Sequence, residues 1–275
     1  MAERLLIRGA RQLLTLRGPS SPRRGHELRE LAIIEDGALL IEDGLIREVG
    51  PSRRIENLNG ARDAQEIDAT GRVVAPGFVD CETDLLGAAR AARATVSPAR
   101  LELEASQRLR WFVRHGTTSL GVSVNESRDH KTIAALNGEP LDLVAVGGQP
   151  LDVRVFGGME SARRAIDSGE AVALASRFGP SASTTCNMAA VMAQAWSGIS
   201  PAEAIAAATI NGAHALGIPR LAGSLEAGKQ ADAVVFEVSD YRDIVRYFGV
   251  NLITAVVKRG RVLYRHGEVA WPAGS

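Results

Sequence analysis

The stretch VVAPGFVDCETD, residues 73–84, begins as an apolar run and ends in alternating carboxylates. Comparable apolar runs follow it, separated by segments with helical patterns. They are TTSLGVSV (117–124), LDLVAVGG (141–148), the weaker LDVRVFGG (151–158) and AVALAS (171–176). Near-continuous apolar strands that alternate with helices are typical of a parallel sheet covered by helices. The pattern therefore predicts an α/β domain with about four or five parallel strands over residues 73–215.

The helical segments carry start signals of their own. Ser97 and Pro98 open the segment 97–116 as an N-cap and a first helical residue. In the segment 200–217, Ser200 and Glu203 form the capping-box pattern, which predicts one helix through that segment. A third helix is predicted within 159–169.

Both ends of the chain have a β pattern. Asp-Gly and Arg-Gly steps within EDG (42–44) and KRG (258–260) lie between apolar runs and predict hairpin turns. The charged stretch 17–30 is interpreted as a surface loop. We expect residues 1–72 and 216–275 to join as one composite β-sandwich domain beside the α/β domain of residues 73–215.

Composition excludes several classes of function. The 275 residues include 32 Lys plus Arg and 32 Asp plus Glu, so bulk charge gives no reason to expect nucleic acid or an anionic membrane as partner. No apolar run approaches the roughly 20 residues of a membrane span. Two cysteines make no disulfide framework, and a reducing cytoplasm is the expected location.

Several motifs resemble the amidohydrolase superfamily. They include IDATGRVVAPGFVD, HGTTSL, AIDSGEAVALAS, ATINGAHALG and GSLEAGKQADAVVF. The closing DYRDIVRYFGVNLITAVVKRGRVLY resembles its imidazolonepropionase branch, whose members open imidazolone-propionate to formiminoglutamate. The resemblance implies a TIM-type barrel and a composite β-sandwich, and so agrees with the pattern of strands and helices.

The chain departs from that family where the family binds Zn²⁺ or Fe. The resemblance implies Asp-x-His-x-His at the end of the first barrel strand, and here Asp80, Glu82 and Asp84 occupy the matching positions. Arg177 stands where the last strand of the family carries a metal-binding Asp. A fixed cation repels a metal ion and is no base at neutral pH. We therefore expect neither the family metal nor another cofactor.

The number of histidines and the length of the α/β region also argue against the family metal site and a complete barrel. Of the five histidines, only His130, after a strand, is positioned to face a site, and one histidine does not make a zinc centre. The others are His26, His115, His214 and His266. The α/β region 76–215 has 140 residues, whereas a complete barrel needs about 250, or at least about 200. The fold is therefore expected to be a truncated TIM-barrel-like domain.

The altered site has three interpretations. If the first strand runs far enough, Asp80, Glu82 and Asp84 share one face and require a cation. That cation is either a bound hard ion such as Mg²⁺, Ca²⁺ or Mn²⁺, or Arg177 in an ion pair with Glu82 or Asp84. Alternatively, the groups are solvated charges at an open sheet end. An Arg177–carboxylate distance beyond about 4 Å would exclude the ion pair.

Other candidate residues have ordinary explanations beside functional ones. Cys81 is a candidate nucleophile, but no histidine is visibly paired with it and a buried structural thiol is favoured; Cys186 is expected to pack a helix. Arg90, Ser181 and Ser183 are candidates for substrate contact. The loop 178–184 that holds the two serines also fits an ordinary turn before a helix.

These observations favour an imidazolonepropionase-like homologue that has lost its catalytic metal site and acts as a scaffold or partner-binding protein. A homodimer, or pairing with a full-length paralogue, would cover the open edges of a truncated sheet. The alternative is a divergent hydrolase that cleaves a C–N bond of a cyclic amide and uses the carboxylates as acid and base. Binding of a small molecule in the residual pocket is a third hypothesis.

Overall fold

The computed structural model describes residues 3–87, 97–124, 127–137, 140–147, 152–157, 161–179 and 183–269. Its strands are β1 (Arg4–Leu14), β2 (Ile33–Glu42), β3 (Leu45–Pro51), β4 (Gln65–Asp68), β5 (Val73–Pro76), β6 (Phe78–Thr83), β7 (Thr117–Ser123), β8 (Asp142–Val146), β9 (Arg154–Gly157), β10 (Val172–Ala175), β11 (Ala233–Phe236), β12 (Ile253–Lys258), β13 (Arg261–Arg265) and β14 (Glu268–Val269).

Three helices of the described residues lie between the parallel strands β6 to β10, and three more follow β10. The helices of these residues are α1 (Ser52–Ile55), α2 (Pro98–Arg114), α3 (Ser127–Leu136), α4 (Arg163–Asp167), α5 (Met188–Ala195), α6 (Pro201–Ala207), α7 (Ile210–Ala215) and α8 (Arg242–Arg246), with 3₁₀ turns at Gly25–Arg29 and Asn59–Ala61. None of the helices in these ranges is long and apolar enough to cross a membrane.

One nine-stranded sheet joins the two ends of the chain. Its order is β14-β13-β12-β11-β5-β1-β2-β3, and β4 pairs with β1. Strand β5 pairs with β1 on one side and with β11 on the other, so early and late parts of the sequence share one sheet as expected. The division of these strands into a two-layered sandwich is not confirmed, and the domain boundaries at residues 72 and 216 stay predictions.

Both predicted hairpin turns are present. Asp43 and Gly44 join β2 to β3 with φ of 50° and 82°, and Arg259 and Gly260 join β12 to β13 with φ of 46° and 73°. Positive φ at both central residues defines the turn type whose twist matches that of the flanking strands. The two turns also touch, because the backbone of Arg259 lies against Gly44.

The run VVAPGFVD (73–80) is divided between two sheets and is not one strand. Residues Val73–Pro76 form β5 of the terminal sheet, and Phe78 begins β6 of a parallel sheet. Gly77 lies at the crossing, where its N–H donates to the Asp232 carbonyl at 2.9 Å. A Cβ at Gly77 would overlap the side chain of Thr118, so the close approach of β7 requires glycine here.

Five strands of the described residues form the parallel part of the molecule, within the predicted range. Strands β6, β7 and β8 pair in one sheet, and β9 pairs with β10 in another. Two backbone hydrogen bonds join the ends of β6 and β10, from Arg177 N–H to the Glu82 carbonyl at 3.0 Å and from Asp84 N–H to the Phe178 carbonyl at 2.8 Å. The order across this layer is therefore β8-β7-β6-β10-β9.

The helix starts are as predicted, but one helix is interrupted. Ser97 and Ser200 accept hydrogen bonds as N-caps, and Glu203 returns a bond to the N–H of Ser200 at 2.7 Å. The single helix expected over 200–217 is two helices, because Thr209 has φ −130° and ψ −93° and leaves the helical conformation. Its hydroxyl instead donates to the Ile205 carbonyl at 2.6 Å.

The interpretation of residues 17–30 as a surface loop is wrong for its centre. Arg23 is 1% exposed, and its guanidinium donates to the carbonyls of Leu16, Arg17 and Glu30. Asn211 on α7 holds the Arg23 backbone through bonds of 2.8 and 2.9 Å. The physical reason is that nearby carbonyls supply the acceptors that a buried guanidinium needs, while Asn211, distant in sequence, fixes the Arg23 backbone.

A buried ionic cluster ties the parallel layer to the terminal sheet. Lys258 of β12 is 3% exposed, and its Nζ lies 2.6 Å from Oδ2 of both Asp142, at the start of β8, and Asp232. Gln230 Oε1 accepts at 2.9 Å, and Arg259 pairs with Asp142. Each buried charge therefore has an opposite partner, as burial of charge requires.

Candidate functional site

The expected ion pair between Arg177 and Glu82 is present at the junction of β6 and β10. Arg177 Nε lies 3.0 Å from Glu82 Oε2, inside the 4 Å limit set for this hypothesis. The two side chains are 34% and 41% exposed, respectively. Arg177 Nη2 also donates to the Val155 carbonyl of β9 at 3.4 Å, so the guanidinium at the end of β10 contacts both β6 and β9.

The backbone of Arg177 adopts the left-handed conformation, with φ of 49°. A non-glycine residue rarely takes this conformation, which costs on the order of 1 kcal/mol or more. The turn directs the chain from β10 toward Phe178, whose carbonyl accepts from Asp84. The arginine is thus held by its backbone as well as by its carboxylate partner.

Asp80 is a buried carboxyl group and lies apart from this ion pair. Its side chain is fully buried, and Oδ1 accepts a hydrogen bond from Ser176 N–H at 2.9 Å. Oδ2 has no hydrogen-bond partner among the residues that the structure describes. Burial raises the pKa of Asp80 to about 7, although the bonds from Ser176 act in the opposite direction. At neutral pH a large fraction of Asp80 is therefore protonated.

The three carboxylates do not form one face of a strand. Strand β6 ends at Thr83, and its pairing with β7 shifts register between Asp80 and Thr83. Asp84 lies beyond the strand, where its side chain faces Gly87 and Gly179. The expectation of a shared face through Asp84 is therefore wrong, because a strand must be regular for alternation to hold.

The residues at this position do not fit the Zn²⁺ or Fe centre that the family resemblance implies. The described part of the chain contains no group of three or more His, Cys, Asp or Glu side chains arranged to hold a metal ion. A guanidinium is hydrogen-bonded to Glu82 at the position in question, and Asp80 points elsewhere. Borderline-soft metals of this kind take imidazole or thiolate ligands, which are not gathered here.

Both cysteines are buried thiols. Cys81 is 2% exposed, and burial, with the nearby carboxylates Asp80 and Glu82, raises its pKa well above the ordinary value. Burial raises the pKa of Cys186 to about 11. A thiol with a raised pKa is a poor nucleophile, so the geometry favours the structural interpretation of both residues.

His214 is the histidine that faces a cavity, and the expectation for His130 is wrong. His130 is exposed on α3, whereas His214 on α7 lines a cavity and its Nε2 has no partner within the described residues. Burial lowers the pKa of His214, as does the neighbouring Lys229. A buried imidazole of this kind is neutral at pH 7. The reason for the difference is that α7 packs on β6 and β10, which the sequence pattern alone does not specify.

The candidates for substrate contact, Arg90, Ser181 and Ser183, stay predictions. Arg90 and Ser181 lie outside the described residues. The carbonyl of Ser183 accepts from Gly179 N–H at 2.9 Å, and its hydroxyl accepts from Thr185 N–H at 3.3 Å. These bonds form a local turn before α5, as the ordinary explanation predicts.

A cavity of about 860 Å³ lies between the edges of β8 and β9 that pair with no other strand of the described residues. Four residues of each edge region line it, 144–147 and 152–155, together with Cys81 and Glu82 of β6. The C-terminal end of α7 closes one side through residues 214–217. The cavity therefore occupies the gap in the parallel layer, and Glu82 of the ion pair is part of its wall.

Sequence comparisons agree with this architecture. A family model described as "Amidohydrolase family" matches residues 155–263. The imidazolonepropionase of Geobacillus kaustophilus is 50% identical over 110 residues, which are 39% of this chain and 26% of that protein. The imidazolonepropionase of Solibacter usitatus is 29% identical over 407 aligned positions, covering 93% of this chain and 97% of that protein.

Residues 155–263 thus match the amidohydrolase family, and the chain is similar to imidazolonepropionases. Among solved structures, Escherichia coli guanine deaminase superposes with a TM-score of 0.78 at 15% identity and covers 96% of this chain and 100% of that one. Molinate hydrolase superposes with a TM-score of 0.72 at 14% identity, covering 95% and 94%. At such identities the likeness concerns the fold. The alignment to the Solibacter protein is longer than the 275 residues of this chain, so it contains gaps within this chain.

Sequence reasoning identified the ion pair but missed two other features of the site. The N–H of Ser176 donates to Asp80. The sequence does not predict this contact, because a serine after a strand is common. His214 lies in a motif that the family resemblance treats as structural, and only the gap between β8 and β9 exposes its surroundings to a cavity.

Proposed function

We propose that this chain is an imidazolonepropionase-like homologue that does not carry out metal-dependent hydrolysis and functions by binding a partner or ligand. The observation that carries the proposal is the Arg177–Glu82 ion pair of 3.0 Å at the position matching the family metal site. A guanidinium there supplies neither a Lewis acid nor an activated hydroxide.

The burial of Asp80 and the raised pKa of Cys81 support the same proposal. Asp80 is fully buried and does not line the cavity, so a substrate in the cavity does not touch it. Cys81 lines the cavity, but its raised pKa disfavours the thiolate. General acid–base catalysis requires a group within hydrogen-bond reach of the reacting atom.

The test combines metal analysis with turnover. Purified protein, incubated with Zn²⁺ or Fe²⁺ and then desalted, is expected to retain far less than one equivalent of metal and to leave imidazolone-propionate unchanged. The triple variant Glu82→His/Asp84→His/Arg177→Asp, in which carboxylates and the cation revert to family residues, is the matched comparison and is expected to retain more metal. Stoichiometric metal in the unmodified chain, with turnover abolished by a chelator, contradicts the proposal.

One observation favours a second candidate, a hydrolase that cleaves a cyclic amide without metal. Asp80 combines a pKa of about 7 with an oxygen that has no partner in the described residues, which suits proton transfer at neutral pH, but this candidate requires a movement that exposes the fully buried Asp80 to a substrate. This candidate predicts turnover of cyclic ureides that resists chelators and is lost in Asp80→Asn. Retention of that turnover in the variant excludes Asp80 as its acid or base.

The proposed partner is a second copy of this chain or a full-length paralogue. Strand β8 pairs only with β7, and β9 only with β10, within the described residues. Unpaired strand edges are sites of association that proteins ordinarily cover. Light scattering coupled to size exclusion is expected to give a dimer at micromolar concentration, whereas a monomer with no binding to the paralogue contradicts this part of the proposal.

A further inference from the structure

The cavity between β8 and β9 has the form of a small-molecule site. Its volume of about 860 Å³ falls in the range of about 300–1,000 Å³ that ligand pockets occupy. Polar and apolar groups share its wall about equally, and the apolar side chains include Val144, Val146, Val153, Val155 and Leu216. Such a wall buries the body of an organic ligand and leaves orientation to a few polar groups.

The charged groups that line the cavity are predominantly acidic. Glu82, Asp152 and Glu170 contribute three carboxylates, and Arg154 contributes one guanidinium. His214 adds no charge at neutral pH because burial lowers its pKa. Among the described residues, Arg154 pairs with Glu170 and Arg177 pairs with Glu82, so one net negative charge remains, that of Asp152. A ligand that carries a carboxylate is therefore disfavoured and a cation is favoured.

Two polar atoms of residues that line the cavity have no hydrogen-bond partner among the described residues. Arg177 occupies Oε2 of Glu82, and Oε1 receives no hydrogen bond from the described residues. Nε2 of His214 is buried without a partner there. A buried polar atom without a partner costs free energy, which a ligand hydrogen bond recovers.

We propose that this cavity binds a small organic monocation with an apolar body, such as an arylalkylamine, whose ammonium group bonds to Glu82 and whose body packs on the valines of β8 and β9. The ligand class goes beyond the proposed lack of metal-dependent hydrolysis. It also contrasts with imidazolone-propionate, whose carboxylate would meet the acidic wall.

The test uses three probes of nearly equal size: 2-phenylethylamine, 2-phenylethanol and 3-phenylpropanoate. Isothermal titration calorimetry is expected to rank the amine first, by about tenfold over the alcohol, with no detectable binding of the carboxylate. Glu82→Gln is expected to weaken the amine about tenfold and to leave the alcohol unchanged, as expected for loss of a charge-assisted hydrogen bond.

The matched control is Glu66→Gln. Glu66 also pairs with an arginine Nε, that of Arg8 at 2.9 Å, with similar exposure and far from the cavity. The Glu66→Gln variant should bind the amine as tightly as the unmodified protein does. Leu216→Trp, which fills the cavity, is expected to abolish binding of both amine and alcohol; Val144→Phe serves the same purpose if the first variant does not fold.

Any one of three results overturns the proposal. The amine and the carboxylate bind equally, Glu82→Gln leaves amine binding intact, or the amine does not bind at millimolar concentration. These results are independent of metal content and turnover. Failure of the ligand proposal is thereby distinguished from failure of the proposed function.

Discussion

Arg177 is joined to Glu82 twice, by its backbone N–H to the Glu82 carbonyl at 3.0 Å and by its Nε to Oε2 at 3.0 Å. The backbone bond aligns β10 with β6, and the side-chain pair lies directly beside it. The last parallel strand of the described residues therefore neighbours the first. The ion pair forms because the fold retains this adjacency although the layer is short.

Substitution of Arg177 separates its backbone strain from its ion pair. Arg177→Ala and Arg177→Gly both remove the pair, which contributes at most about 1 kcal/mol because both partners are partly exposed. Only glycine relieves the φ of 49°, so we expect Arg177→Gly to be more stable than Arg177→Ala by about 1 kcal/mol. Urea unfolding measures the difference.

The control for this comparison is Arg24, which has an extended φ of −132°. There the glycine variant should be no more stable than the alanine variant. A glycine variant at position 177 that is less stable than alanine would contradict the assigned strain.

Burial of Asp80 predicts a pH dependence of stability. Its folded-state pKa of about 7 exceeds the unfolded value of about 3.9. Between these values the folded state holds a proton that the unfolded state has released, so the free energy of unfolding falls as pH rises from about 4 to about 7. Asp80→Asn removes this dependence, and its stability relative to wild type should rise across the window by up to about 4 kcal/mol.

Urea unfolding at pH 5 and pH 8 tests this prediction. Asp68→Asn is the control, because a hydrogen bond from Thr70 lowers the pKa of Asp68 and places its titration below the window. A contrary result is that the free energies of unfolding of Asp80→Asn and wild type differ by the same amount at both pH values. That result would show that Asp80 is ionised at both.

Both thiols should be unreactive in the folded protein. Cys81 and Cys186 are buried and their pKa values are raised, so little thiolate is available. Labelling with iodoacetamide at pH 7.5 is expected to be at least about a hundredfold slower in the native protein than in urea. Rapid labelling of Cys81 by the native protein would revive its role as a nucleophile.

Short sequence motifs predicted the features of the fold that depend on a few neighbouring residues. The Asp43–Gly44 turn, the Ser200–Glu203 capping box and the parallel strands follow from neighbouring residues and were found where expected. The Arg177–Glu82 pair also required the adjacency of first and last strands, which the family resemblance supplied.

Long-range partners account for what the sequence did not predict. Burial of Arg23 depends on Asn211, which is 188 residues away. The orientation of His214 toward a cavity depends on the gap between β8 and β9. Apolar periodicity carries no information on either relationship, because it reports the face of an element and not its partner.

The buried cluster around Lys258 predicts a large loss of stability on truncation. Lys258→Met leaves Asp142 and Asp232 as buried carboxylates with one cation fewer, and we expect a cost of about 3–5 kcal/mol. The double variant Lys258→Met/Asp232→Asn removes one of those charges and should recover part of the loss. Arg242→Met, at an exposed pair with Asp240, should cost far less than Lys258→Met because solvent screens that pair. If urea unfolding shows equal losses for Lys258→Met and Arg242→Met, the cluster does not fasten β8 to the terminal sheet.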